Sequence, residues 1–176
     1  MPRLRPINAP WMISTAAPEI GFRVKSQEGL FHGYVDFLAL FTPPKAWRGG
    51  DDRYYHVVVV FDSIVSLRMS PEFSGIDRSR WHGYDWGAVP GAVDDNGESE
   101  SRLNQLDEQW EWTGVCPDPR AYVIEDSDWL VQLGFTSDLP DSLRVDHYLL
   151  MGRDHYIEII AKSMRWEMPD DRSDVS

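Results

Sequence analysis

The sequence has few of the residues that staple a chain, span a bilayer or bind polyanions. One cysteine, Cys116, stands among 176 residues, so no intramolecular disulfide can form and stability must come from packing. That usage suits a reduced, cytoplasmic setting. No apolar run is longer than residues 57–61, far short of the roughly 20 residues a membrane helix needs. Arg3 and Arg5 precede Trp11, Met12 and Ile13, but Pro6, Asn8 and Pro10 break the stretch, which argues against a signal peptide. Basic side chains are scarce, 17 against 29 acidic, for a formal net charge of −12. So negative a chain lacks the clustered cations that phosphate neutralisation requires and is repelled by anionic lipid. Nucleic acid and membrane are therefore not expected as partners.

Catalytic spacings are missing as well. The five histidines (His32, His56, His82, His147, His155) are scattered, with no His-x-x-x-His or Glu-x-x-His motif. There is no phosphate-binding glycine loop, no Gly-x-Gly-x-x-Gly, no Gly-x-Ser-x-Gly and no calcium loop of the Asp-x-Asp-x-Asp-Gly kind. No metal or cofactor is expected, and the chain reads as a non-enzyme. A site assembled from distant groups, such as His82 with Asp85, is the enzymatic alternative. Cys116 precedes Pro117 in a polar turn with no basic neighbour to form a thiolate, so it reads as an inert thiol.

Apolar residues make up 42% and aromatics 12%, with eight tryptophans. That is enough for one core, and too aromatic for a disordered acidic chain. Ile20, Phe22 and Val24 alternate with Gly21, Arg23 and Lys25 in the strand period, and residues 30–41 read as a longer strand ending at Pro43 and Pro44. Four consecutive valines in residues 54–61 suit a strand buried on both faces; residues 64–69 pair with it or continue it past a bulge. Trp110 and Trp112 alternate with Gln109 and Glu111 as a short aromatic strand, while residues 104–109 suggest a helical turn.

The clearest hairpin joins residues 146–151 to 155–166 through Gly152, Arg153 and Asp154. Pairing Met151 with His155 sets His147, Leu149, Met151, Ile157, Ile159 and Ala161 on one face and Tyr148, Leu150, Tyr156, Glu158, Ile160 and Lys162 on the other. His147 then lies opposite Ile159 as a core or rim histidine. Ser127 is a natural N-cap for a short helix with Asp128 in its first turn; Trp129, Leu130 and Leu133 supply a buried stripe, and Gly134 ends it. Many strands, few helices and no βαβ rhythm predict a mainly β, antiparallel sandwich or barrel-like sheet with one or two short helices. The expected organisation is a single domain over residues 1–168 with an irregular insertion at 70–101, followed by a disordered tail at 169–176.

Two features carry a binding hypothesis. Trp81, Tyr84 and Trp86 cluster in the irregular stretch, where they form a stacking platform for a sugar or peptide, or fold back onto the core. Residues 91–128 hold eleven acids, among them Asp94, Asp95, Glu98 and Glu100, against only Arg102 and Arg120. Such a segment attracts a cationic partner, or merely keeps the protein in solution.

The order Phe61-Asp62-Ser63-Ile64-Val65-Ser66, Asp126-Ser127-Asp128-Trp129-Leu130, His147-Tyr148-Leu149-Leu150 and Asp154-His155-Tyr156-Ile157-Glu158-Ile159-Ile160-Ala161 resembles small bacterial β-rich proteins, including polymorphic-toxin immunity proteins. The resemblance implies no catalytic residues. With the acidic segment it leads to the expectation of a cytoplasmic binding protein that engages a basic protein through Asp94, Asp95, Glu98 and Glu100 with the neighbouring Trp81, Tyr84 and Trp86. The alternative is a small-ligand or carbohydrate-binding β domain using that aromatic loop.

Overall fold

Among the described residues, alternating β-branched and aromatic residues become eight strands: β1 (Arg3–Pro6), β2 (Met12–Ile13), β3 (Gly21–Gln27), β4 (Leu30–Leu40), β5 (Tyr54–Pro71), β6 (Ala121–Glu125), β7 (Asp146–Met151) and β8 (His155–Glu167). Two α-helices accompany them among the described residues, α1 (Ser99–Thr113) and α2 (Asp128–Gln132). This computed structural model describes residues 1–14, 20–43, 54–71, 83–90, 99–135, 139–153 and 155–169, with backbone alone at 70–71 and 99–103. Most of the expected insertion and all but the first residue of the expected tail lie outside the described residues.

All eight strands join one antiparallel sheet in the order β1-β6-β7-β8-β5-β4-β2, with β3 also on β4, so the expected fold class holds. The two end strands are neighbours in sequence. Six strand gaps of about 4.8 Å would separate β1 from β2 by about 29 Å in a flat sheet. The chain from Pro6 to Met12 reaches at most about 22 Å, so the sheet must curl toward a barrel. Residues 7–13 are stitched across the opening: Ile7 N–H donates to Ala121 O (3.0 Å), Cys116 N–H to Ala9 O (2.8 Å) and Ile13 N–H to Pro119 O (3.1 Å).

Trp11 fills the interior, fully buried, with its ring centroid 5.2 Å from Phe37 and 6.2 Å from Trp166. Around it lie Val35 and Phe37 from β4, Val57, Val59 and Phe61 from β5, Ile157 and Ile159 from β8, and Tyr148 and Leu150 from β7. Val58 and Val60, on the opposite face of β5, are buried too, as the valine run predicts.

β5 continues through residues 64–69 past an irregularity, as one of the two expectations had it. Phe61 and Ile64, three residues apart, both meet the interior, as do Ala161 and Met164 opposite them. A regular strand would send such residues to opposite faces. Ser63, in the left-handed region at φ 54, and the register shift between Ile64 and Ser66 bend the strand there.

Three expectations need correction. The hairpin register is one residue away from the expected pairing: Met151 faces Tyr156, Leu149 faces Glu158, and His147 faces Ile160. That pairing assumed one wet face, whereas here both faces are covered. Tyr148, Leu150, Ile157, Ile159 and Ala161 line the interior, and His147 and Glu158 share the other side.

Trp110 and Trp112 lie on α1, not on a strand. Two positions apart on a helix is about 200°, and Trp110 is buried while Trp112 is 88% exposed. Residues 104–109 do form helical turns within α1, which stops at Gly114, a left-handed residue at φ 69. The third correction is the α2 stripe: Ser127 caps the helix and Gly134 (φ 83) ends it, but Trp129 and Leu130 are only half-buried and Leu133 is exposed.

Replacing Trp11 by Ala should lower unfolding free energy by about 3–5 kcal/mol in urea titrations, since the cavity would open where residues 7–13 close the sheet.

Candidate functional site

On the side of the sheet away from Trp11, Glu158 is charged yet 2% exposed. Its place on β8 opposite Arg68 of β5 brings a guanidinium to it, with Nη2 donating to Oε1 at 3.1 Å and Nε to Oε2. Tyr84 donates its hydroxyl to Oε1, and His147 Nε2 stands 3.5 Å from the same oxygen. Burial alone would push this carboxyl up, but the nearby His147 ring and the hydrogen bonds from Arg68 and Tyr84 outweigh it and hold it down to about 2.

His147 Nδ1 lies 2.7 Å from Ser127 Oγ, which accepts the Leu130 N–H at 3.2 Å as the cap of α2. The hydroxyl keeps its proton and a second lone pair for Nδ1, so this contact suits either tautomer of the ring. Trp129 stands edge-on to His147 (centroids 5.0 Å apart) and carries the Arg68 guanidinium 4.1 Å above its ring.

Serine, histidine and glutamate are the members of an acyl-transfer triad, and they occur here in contact. Ser127 is only 4% exposed and His147 1%, and the serine oxygen already caps a helix. What the arrangement does is fasten α2 and residues 83–90 onto β5, β7 and β8. The expected register hid this cluster, because it put His147 and Glu158 on opposite faces.

Of the aromatic candidates, Trp86 folds inward. It is 8% exposed and packs with Leu4, Val89, Ile124 and Met151, edge-on to Tyr122 at 5.7 Å. Tyr84 is half-buried, its hydroxyl on Glu158. Between them Asp85 joins the edge of β1, with Asp85 N–H on Pro2 O (2.8 Å) and Leu4 N–H on Asp85 O (3.0 Å). Trp81, His82, Asp94, Asp95 and Glu98 lie outside the described residues, and Glu100 is described only as backbone at the start of α1.

The described carboxylates of the acidic segment have different surroundings. Glu125 is clasped by Arg3 and Arg5 of β1, whose hydrogen bonds keep its carboxyl below the ordinary range. Asp118 accepts the Tyr122 hydroxyl at 2.5 Å. Glu108 and Glu111 stay exposed on α1 beside Trp112, which is one helical turn from Glu108.

The helix is held by Trp110, which packs on Leu40 and Cys116 and donates Nε1–H to Pro10 O at 3.1 Å. Reading this segment with a period of 3.6 instead of 2 would have found Trp112, since its neighbour at 110 is the one that packs. Cys116 lies in the same cluster, 3% exposed, and burial pushes its thiol up, in keeping with an inert role. Among the described residues no group of three or more His, Cys, Asp or Glu side chains is placed to hold a metal, and no helix is long and apolar enough to cross a membrane.

Two outcomes follow from these environments. Glu158→Gln should cost about 2–4 kcal/mol near neutral pH, because Arg68 and His147 lose a buried anion. A carboxyl depressed by folding stabilises above its ordinary value of 4.5 and stops doing so as pH falls toward 2. The gap between wild type and variant should therefore narrow over that range in denaturant titrations. Cys116 should resist a thiol reagent in the folded protein and react fully in denaturant.

No protein-family description, curated protein or solved structure matches the chain.

Proposed function

We propose that the protein is a non-enzymatic binding protein that takes a basic protein partner on the outer face of α1. The observation that carries this reading is Trp112, 88% exposed beside Glu108 and Glu111 on a helix anchored by Trp110. A large ring left in water loses the benefit of burial, and a partner that covers it recovers about 2 kcal/mol or more. The glutamates beside it select a cationic surface and speed the encounter. Residues 91–98, with Asp94, Asp95 and Glu98, lead directly into α1, so the charge of this region is larger than the helix alone supplies. Neutralising a basic toxin, the role that the resemblance to immunity proteins implies, fits a partner of this charge in a cytoplasmic setting. The carbohydrate reading gains no support from Trp86, whose ring is engaged in packing.

Affinity purification from the native host tests the proposal. Basic proteins retained by wild type should fall about tenfold or more with Trp112→Ala and with the Glu108→Lys, Glu111→Lys pair, while melting temperature stays nearly constant, as expected for surface changes. An unchanged set of retained proteins would overturn it.

A further inference from the structure

Among the described residues β3 is an open edge with an unusual charge. Among the described residues it pairs with β4 alone, so the outward backbone groups of Gly21–Gln27 have no strand beside them. Its side chains are exposed from Arg23 onward. Arg23 and Lys25 stand on one face, each with its cationic end 5.4 Å from the Tyr34 ring centroid, and no described carboxylate pairs with either. In a chain of net charge −12 that is an unexpected place for two cations with no described carboxylate partner. The other face of the same edge is apolar: Val24 is 49% exposed and Phe31, opposite Ser26, is 55% exposed.

We propose that this edge takes an extended acidic peptide segment of another protein as an added antiparallel strand, with its acidic side chains over Arg23, Lys25 and Tyr34 and its apolar ones on Val24 and Phe31. An edge strand supplies a full set of main-chain donors and acceptors, and alternating pockets on its two faces set specificity. Charge decides the occupant. A second copy of β3 docked antiparallel about Val24 would place Arg23 against Lys25 of its partner, and like charges directly opposite are destabilising. The same cations that bar a copy of this strand complement a strand bearing glutamates. Cations also guard edges against aggregation, but guarding alone predicts no affinity for an acidic strand.

A fluorescein-labelled peptide of alternating glutamate and valine, titrated by anisotropy, tests the inference. Binding should weaken with salt, fall about tenfold or more for the Arg23→Glu, Lys25→Glu variant, and be unchanged in Trp112→Ala, which separates this edge from the α1 surface. Methylating alternate backbone nitrogens of the peptide, on the set that faces β3, should abolish binding to the unaltered protein, a readout independent of whether the variant folds. No binding of the glutamate peptide, binding indifferent to N-methylation of either alternate set, or equal affinity for a single-stranded oligonucleotide of the same charge would each overturn the proposal.

Discussion

The shape of this protein follows from how little chain joins β1 to β2. Those strands stand at opposite ends of the sheet order, yet only residues 7–11 separate them, and a flat sheet is wider than that segment can reach. Curvature is thus imposed by connectivity. Once the sheet curls, its inner face must be filled, and Trp11 on the joining segment is the side chain that fills it. The bend of β5 at Ser63 serves the same end by allowing Phe61 and Ile64 to meet one interior.

A curled sheet leaves its outer side to be covered separately, and around β5, β7 and β8 that is done with polar groups. Glu158 is expensive to bury, so its neighbours have to come from several elements at once: Arg68 from β5, His147 from β7, Tyr84 from the turn beyond. Arg68 is half exposed and lies on Trp129, which keeps part of the cation in water while its carboxylate partner is enclosed. This explains why α2, with no fully buried residue, still stays in place: its cap is a member of the network, and the helix is attached through Ser127.

Much of the sheet was legible in the sequence because strand signals there are local. The valine run, the alternation around Phe22 and the Ser127 cap each need only a few neighbours to be read. The hairpin register and the Trp110–Trp112 segment misled because each was judged as if one side met water. Both faces of the hairpin are covered, so the alternation of apolar and polar residues no longer reports the pairing. Trp110 and Trp112 satisfy a period of two only as a pair, and the buried contact of Trp110 with Leu40, seventy positions earlier, has no local signature. The Glu158 cluster was hidden for the same reason, since its members come from positions between 68 and 158.

The pairing of β1 with β6 also has a temporal side. Arg3 faces Glu125, 122 residues later, so β1 leaves the ribosome well before the strand it pairs with. At about 5–20 residues per second, that delay is on the order of 6–24 s during synthesis. Throughout it Leu4, Ile7, Trp11 and Ile13, all buried in the finished molecule, have no completed core to enter. The segment that closes the sheet is therefore the part of the nascent chain with the longest wait for its partners, and the one for which a holding chaperone would matter most.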